Sequence, residues 1–294
     1  MVQQTLVVAA VLVAAGGGAA RADAYEALIV NSGDLKPYQD LIRGFTDTCN
    51  CEVEEAALPV DEAAKESLQR SSTVVLAVGT TAFRRARELA PNPVVYAMVM
   101  PSETAVPRKY VSGVSMDVAP SLFLSHIADM LPQARRVGVL FDPRYTERYV
   151  NDAKKVAAGM GITLVIREVS DASDVTDALR DMRGAVDALW MLPDPVIVSP
   201  GAVDILLRYS FRQGVPVFTF SRKYVEMGAV ASLESDPYDM GVQAAELARA
   251  IAGGSTEASC VYARKALLTV NRKVAEKMGL RLGGQGRRKS TNAS

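Results

Sequence analysis

Polar side chains in the first third of the chain come directly after buried, strand-like apolar runs. The clearest case is Gly79-Thr80-Thr81, which follows the run TVVLAV and begins a helical pattern. A glycine followed by two threonines at a helix start exposes backbone N–H groups and hydroxyls, which suit a carboxylate or another small acceptor. The same residues can instead serve only as a helix cap. The residues predicted to contact a ligand in this part of the chain are Asn31, Ser32, Thr80, Thr81, Met98 and Met100.

Met98 and Met100 belong to this set because they follow another strand-like run, PVVYA. Methionine adapts to irregular apolar shapes. If the two side chains face a binding site, the ligand has a substantial apolar portion. An ordinary hydrophobic strand end explains them equally well.

The second half of the chain has carboxylates and hydroxyls at the corresponding strand ends. Asp194 follows the run ALWML and suits a ligand amine or hydroxyl, although it can equally cap the helix that follows. Asp142 precedes Pro143, which favours an Asx turn, and Tyr145 could supply an aromatic wall. A turn is expected after Ala231. The residues predicted to contact a ligand in this half are Asp142, Tyr145, Asp194, Ser221 and Glu234.

The composition and the missing motifs exclude several functions. The 294 residues contain 33 Lys+Arg, 33 Asp+Glu and one His, for a net charge of zero. A chain with this charge balance has no excess of basic residues for binding nucleic acid. One histidine cannot build a histidine-rich metal or catalytic site. The chain also lacks a G-x-S-x-G elbow, a P-loop lysine motif and a strand-linked G-x-G-x-x-G. We therefore expect no enzyme, no cofactor, no metal site and no nucleic-acid partner.

Short β-type runs alternate with helical patterns through almost the whole chain, which is typical of parallel sheets with helices on both faces. The runs VVLAV and VGVLF lack polar alternation, as in strands buried on both sides. We predict an α/β fold with two doubly wound parallel-sheet lobes, covering about 25–112 and 113–233. The junction YVSGVS has no Pro-rich or charged linker and is interpreted as a strand at a hinge. Ligands of such sheets bind in the cleft beyond the carboxyl ends of the strands.

Residues 1–24 have the features of a secretory signal peptide. The apolar run TLVVAAVLVAA is followed by the A-x-A site Ala22-Asp23-Ala24, although the start lacks the usual basic residues. The run is shorter than the ~20 residues that a membrane span requires. We expect cleavage before Tyr25 and a soluble protein in the periplasm. The Gly- and Arg-rich residues 283–294 are expected to form a loose tail.

The three cysteines leave several arrangements open. Cys49 and Cys51 form C-x-C rather than the C-x-x-C of redox or zinc sites. In an oxidising compartment they could pair with each other, or one could pair with Cys260. Unpaired thiols are equally compatible with the sequence.

Several segments, taken in order, resemble one bacterial family. They are YVSGVS (110–115), LPQARRVGVL (131–140), VDALWMLPD (186–194), GVPVF (214–218), GAVASL (228–233) and VN with AEKMGL (270–280). Their order and spacing resemble the ABC-transporter substrate-binding family that includes tryptophan- and tyrosine-binding proteins, over about residues 73–282. The resemblance departs from the family at Met98 and Met100, where a polar residue and an acid are expected.

The resemblance implies a type I periplasmic binding protein, in which two lobes close on a solute and the closed form docks on a membrane permease. It also implies that the helix at about 237–252 returns to the N-terminal lobe. The N-terminal lobe is then 25–112 plus about 234–258, and the C-terminal lobe is 113–233 plus about 260–282.

We therefore expect a monomeric, periplasmic solute-binding component of an ABC importer. Its small-molecule solute would have an apolar or aromatic body, such as an amino acid or analogue, and hinged closure would enclose it. One alternative is a carrier of a larger, lipid-like molecule, which Met98, Met100, Trp190 and Phe220 motivate. Another is a ligand sensor that docks on a receptor.

Overall fold

The structure is a computed structural model, and it describes residues 25–59, 62–69, 73–100 and 110–284. The predicted signal peptide, and all but the first two residues of the predicted tail, lie outside the described residues.

The described residues alternate between strands and helices. The strands are β1 Glu26–Asn31, β2 Glu52–Ala57, β3 Thr73–Val78, β4 Val94–Ala97, β5 Val111–Val118, β6 Arg136–Phe141, β7 Thr163–Glu168, β8 Ala188–Met191, β9 Val217–Thr219, β10 Ala231–Ser235, β11 Cys260–Ala263 and β12 Ala266–Val270. The helices are α1 Lys36–Cys49, α2 Glu62–Gln69, α3 Thr80–Leu89, α4 Pro120–Met130, α5 Pro143–Gly159, α6 Asp174–Asp181, α7 Pro200–Gln213, α8 Arg222–Met227, α9 Pro237–Ala252 and α10 Arg272–Lys277.

The strands form two six-stranded sheets, in the orders β11-β5-β4-β3-β1-β2 and β12-β10-β9-β8-β6-β7. The pairings are parallel, except that β12 runs antiparallel to β10. The predicted α/β fold class with two doubly wound sheets is confirmed. The expected turn after Ala231 is wrong, because residues 231–235 form β10, held between β9 and β12.

Each sheet is covered on both faces by apolar side chains. In β6, Leu140 belongs to the core beneath α6, α7 and α8, whereas its neighbour Phe141 belongs to the core beneath α4 and α5. Successive side chains of a strand point to opposite faces. A strand buried on both faces therefore needs an unbroken apolar run, and VGVLF is such a run.

Helix α9 leaves the second sheet and packs on the first. Its residues Met240, Ala244 and Ala248 share a core with Leu41 and Phe45 of α1. This is the position that the family resemblance implies for the helix. By strand pairing, residues 113–118 and 260–263 also belong to the first sheet, while β10 and β12 belong to the second.

Three short connections join the two sheets within the described residues. They run from β5 to α4, from β10 to α9 and from β11 to β12. Hydrogen bonds tie these connections to one another, from Ala119 N–H to Ala263 O (3.1 Å) and from Asp236 N–H to Lys265 O (3.1 Å). The connections therefore lie side by side along one edge of the molecule.

Of the cysteine arrangements that the sequence leaves open, the structure has the pairing within C-x-C. Cys49 at the end of α1 is disulfide-bonded to Cys51, just before β2. The intervening Asn50 takes a left-handed conformation (φ 53°), and Cys260 is a free thiol.

The contact between α1 and α9 predicts which glycines tolerate a side chain. A Cβ atom at residue 241 would lie 2.0 Å from Leu41 O, whereas one at Gly201 in α7 would meet nothing within 4 Å. Gly241→Ala should therefore lower the free energy of unfolding by about 1–3 kcal/mol or more. Gly201→Ala, the control, should leave it unchanged or raise it by up to about 1 kcal/mol. Urea unfolding would measure both, and equal stabilities of the two variants would contradict the close contact between α1 and α9.

Candidate functional site

The carboxyl ends of β1, β3 and β4 meet at one edge of the first sheet, since these strands are neighbours. Ser32 N–H donates to Val78 O (3.0 Å), and Gly79 N–H donates to Ala97 O (2.9 Å). These bonds hold the segments that follow the three strands against one another. The predicted residues Asn31, Ser32, Thr80, Thr81, Met98 and Met100 are therefore brought together at this edge, as the parallel arrangement requires.

Two of the predicted hydroxyls hold the local backbone. Ser32 Oγ accepts a hydrogen bond from Ala82 N–H (2.9 Å), so a side chain from β1's end caps the third residue of α3. Thr80 Oγ1 accepts from Met100 N–H (3.1 Å) and fixes the segment after β4. The N–H groups of Thr80 and Thr81, the first two in the helix, have no acceptor within it. They carry the partial positive charge of the helix end toward the edge.

Tyr38 brings a further hydroxyl to the same edge. A Cβ atom at Gly79 would lie 2.6 Å from Ser32 Oγ and 2.8 Å from the Tyr38 hydroxyl oxygen, so only glycine leaves room for both. Gly79 has a φ of +87°, which also favours glycine. Tyr38 was not among the predicted ligand contacts because its position in the sequence fits the apolar face of α1, although a tyrosine has a polar tip beyond its apolar ring.

Met98 and Met100, the two methionines at this edge, differ in backbone conformation and in exposure. Met98 takes a left-handed backbone conformation (φ 57°), which costs about 1–2 kcal/mol for a residue with a side chain. Its half-buried side chain packs against the core shared by α1 and α9. Met100 is 55% exposed. Strained backbone is often found at binding sites, where surrounding bonds hold it in place.

In the second sheet, the predicted acid Asp194 is fully buried, at 0% exposure. Its carboxylate accepts hydrogen bonds from Asp142 N–H (2.8 Å), the Thr146 hydroxyl (2.7 Å) and Val196 N–H (2.9 Å). Asp194 therefore connects the carboxyl ends of β6 and β8 and the first turn of α5. Its role toward a ligand stays a prediction, and the structure gives its two oxygens a positioning role.

Asp142 is the N-cap of α5 and an ion-pair partner. Its Oδ1 accepts from Arg144 N–H (2.9 Å), and the Arg144 guanidinium pairs with its carboxylate. The hydrogen bonds from this guanidinium are the main cause that lowers the pKa of Asp142. Arg144 is itself 63% exposed and lies 5.5 Å from the ring centre of Tyr145. The edge of the second sheet thus presents a cation and an aromatic ring.

The last two predicted residues also bind backbone groups. Ser221 Oγ accepts from Lys223 N–H (3.4 Å) at the start of α8, and Glu234 accepts from Arg222 N–H (3.0 Å). As ligand contacts, both stay predictions.

Two tyrosines connect the lobes beside the three connections. The Tyr149 hydroxyl of α5 donates to Val118 O of β5 (2.7 Å), and the Tyr262 hydroxyl of β11 donates to Asp152 of α5 (2.8 Å). Their rings pack edge to face at 5.6 Å. Burial and the bond to Asp152 raise the pKa of Tyr262, and the same bond is the main cause that lowers the pKa of Asp152. These contacts would have to adjust if the lobes rotated.

The buried hydrogen bonds of Asp194 predict its effect on stability. Asp194→Ala leaves the Asp142 and Val196 N–H groups without their acceptor, so the free energy of unfolding should fall by about 3 kcal/mol. The control is Asp204→Ala, which removes a 58% exposed carboxylate paired with Arg208. That change should cost about 0.5 kcal/mol or less. Chemical unfolding would compare the two variants, and a small loss for Asp194→Ala would contradict its positioning role.

Residues 61–285 match the family model described as ABC transporter substrate binding protein. Among curated proteins, the chain is 24% identical over 152 residues to a tyrosine-binding protein of Clostridioides difficile strain R20291. That alignment covers 51% of this chain and 44% of the relative, so the chain matches less than half of the relative's length.

Solved structures share the fold. A substrate-binding protein with adhesive properties from Clostridium difficile, in its ligand-free open form, has a TM-score of 0.62 and 17% identity over 92% of this chain and 97% of that one. The ABC domain of a Streptococcus pneumoniae protein in complex with L-Trp has a TM-score of 0.51 and 17% identity over 87% and 95%.

These neighbours have folds like those of type I periplasmic binding proteins, and the matched family consists of solute-binding proteins rather than enzymes. No helix among the described residues is long and apolar enough to cross a membrane. Because the family model covers most of the chain, the protein belongs to the ABC transporter substrate-binding protein family.

Proposed function

We propose that this protein is the periplasmic solute-binding component of an ABC importer and that it binds an aromatic amino acid, such as L-tryptophan or L-tyrosine, between its lobes. The observation that carries the proposal is the edge formed by Gly79, Thr80, Thr81 and Tyr38. There a helix N-terminus and a phenol hydroxyl face the end of a parallel sheet. The names of the tyrosine-binding relative and of the L-Trp complex support the choice of ligand.

This edge of the first sheet offers hydrogen-bond donors to the polar end of the ligand. The N–H groups of Thr80 and Thr81 and the Tyr38 hydroxyl are all donors, and a carboxylate is acceptor-only. The helix end adds a partial positive charge that favours an anion. The carboxylate of an amino acid therefore suits the first lobe.

The body of the ligand is matched by exposed apolar side chains on both lobes. Leu35 and Met100 of the first lobe are 56% and 55% exposed, and Tyr145 of the second is 51% exposed. All three follow strand carboxyl ends or begin the helices there. The aromatic body of a ligand bound between the lobes would cover these side chains.

The way the lobes are joined supports closure. Three short connections along one edge allow the two sheets to rotate with small backbone changes, and a ligand that contacts both lobes favours the closed form. The expected signal peptide supports the periplasmic location, and the family supports docking of the closed form on a membrane permease.

The lipid-carrier alternative loses part of its support. Trp190, one of the residues that motivates it, is buried in the second lobe, where it stacks on Phe123 at 4.6 Å. The side chain belongs to the core and does not line a cleft. A small aromatic solute fits the exposed residues better.

Ligand binding should be visible as added stability and as compaction. L-tryptophan or L-tyrosine at 100 times its Kd should add about 2.7 kcal/mol to the free energy of unfolding. Small-angle scattering should show a smaller radius of gyration with the same compound, because the lobes close. Ribose serves as the control solute. Thermal-shift and scattering data without any response to the amino acids would contradict the proposal.

The proposed site for the ligand carboxylate predicts that one substitution weakens ligand binding. Tyr38→Phe removes one donor to the ligand carboxylate, so the Kd for L-tryptophan should rise about tenfold, the value of a hydrogen bond to a charged group. Tyr238→Phe is the matched control, since the Tyr238 hydroxyl donates to Asp47 (3.0 Å) on the far side of α1. Calorimetric titration would measure both. An equal Kd in wild type and Tyr38→Phe would remove Tyr38 from the site.

A further inference from the structure

Asp117 lies between the two lobes and is not among the residues predicted to contact a ligand. It is the second-last residue of β5. The neighbouring strand β4 ends at Ala97, which pairs with Val114. Past that edge β5 is paired only with β11 on its other side, where Val118 pairs with Ala263. At about 3.3 Å per residue, Asp117 lies about 10 Å beyond the end of β4, toward the second lobe.

Side chains of both lobes lie near this carboxylate. Tyr149 of α5 and Tyr262 of β11 are close enough for the Asp117 charge to raise the pKa of each. Neither hydroxyl donates to Asp117, because Tyr149 donates to Val118 O and Tyr262 donates to Asp152. Asp152 and Arg148 lie beyond Tyr262 and act on it electrostatically.

The half-buried carboxylate has few partners within the protein. Ser115 Oγ donates to Oδ2 (3.0 Å), and within the described residues no hydrogen bond reaches Oδ1 and no lysine or arginine forms an ion pair with Asp117. Burial raises the pKa of Asp117, and the Ser115 bond opposes that change only in part. A charge in this position is costly unless a cation joins it.

We infer that Asp117 is the residue that binds the ammonium group of an amino-acid ligand, at the floor of the cleft between the lobes. The inference rests on the proposed function. An ammonium group brings three donors and a positive charge. Within the described residues Oδ1 has no donor and the carboxylate has no cationic partner. The acid predicted for this role, Asp194, has its carboxylate occupied by three donors within its own lobe.

If Asp117 had only a structural role, its substitution would change the stability of the protein in a different way. Since burial raises its pKa, the folded protein holds the proton more tightly than the unfolded chain does, and stability falls as pH rises through that raised pKa. The variant Asp117→Asn has no ionisable group at this position, so its stability does not fall with pH for this reason. At pH 7 the ligand-free variant should therefore unfold at the same temperature as wild type or higher, whereas loss of a structural carboxylate would lower it.

The test is calorimetric titration of wild type and Asp117→Asn with two matched pairs of probes. The pairs are L-tryptophan with indole-3-propionic acid, and L-tyrosine with 3-(4-hydroxyphenyl)propionic acid, which differ only in the ammonium group. The variant should bind the amino acids at least about tenfold more weakly and the des-amino acids within about twofold of wild type. Asp177→Asn, at an exposed position of α6 paired with Arg180, is the control and should match wild type throughout.

Each outcome is decisive. Equal affinity of wild type and Asp117→Asn for the amino acids overturns the inference alone, as does an equal loss for amino and des-amino probes. A wild-type protein that binds none of the four probes overturns the proposed function and the inference with it. Wild type gives a second readout that needs no variant, because it should prefer each amino acid to its des-amino partner by at least about tenfold. The absence of that preference also overturns the inference.

Discussion

The close contact between α1 and α9 determines how the two lobes are arranged. Backbone atoms of Leu41 lie where a Cβ of Gly241 would be, and backbone atoms of Tyr238 lie where a Cβ of Gly44 would be. This contact brings α9 from the second sheet back to the first, and β11 follows it. The chain must then cross three times between the sheets, which keeps the lobes together along one edge and leaves their strand ends available to a ligand.

Many polar side chains at the strand ends serve the protein's own backbone. Ser32 and Thr80 satisfy N–H groups in the first lobe, and Asp142, Asp194, Ser221 and Glu234 do so in the second. This follows from the geometry of parallel sheets, because each strand end leads into a helix whose first N–H groups need acceptors. Capping and ligand binding use the same residue types, so residue type and spacing cannot separate them.

The proposed site depends on polar groups that the helix caps do not use. In the first lobe these are the Thr80 and Thr81 N–H groups and the Tyr38 hydroxyl, and between the lobes it is Asp117. Tyr38 lies on a helix, and Asp117 is the second-last residue of β5, a strand end that was not among the predicted ligand contacts. Tertiary packing brings them to the edge, through the contact of α1 with β3 and the extension of β5 past β4.

The sequence by itself determined the alternation of strands and helices and the α/β class, because buried parallel strands need unbroken apolar runs and helices need a periodic apolar face. It also determined, through ordered motifs, the family. Only the tertiary structure decided that residues 231–235 form a strand, that Cys49 pairs with Cys51, and that Asp194 is occupied by its own lobe. The strand and the burial of Asp194 depend on neighbours distant in the chain, about which local pattern carries no information. The disulfide joins near neighbours, but a C-x-C spacing alone is equally compatible with free thiols or with a bond to Cys260.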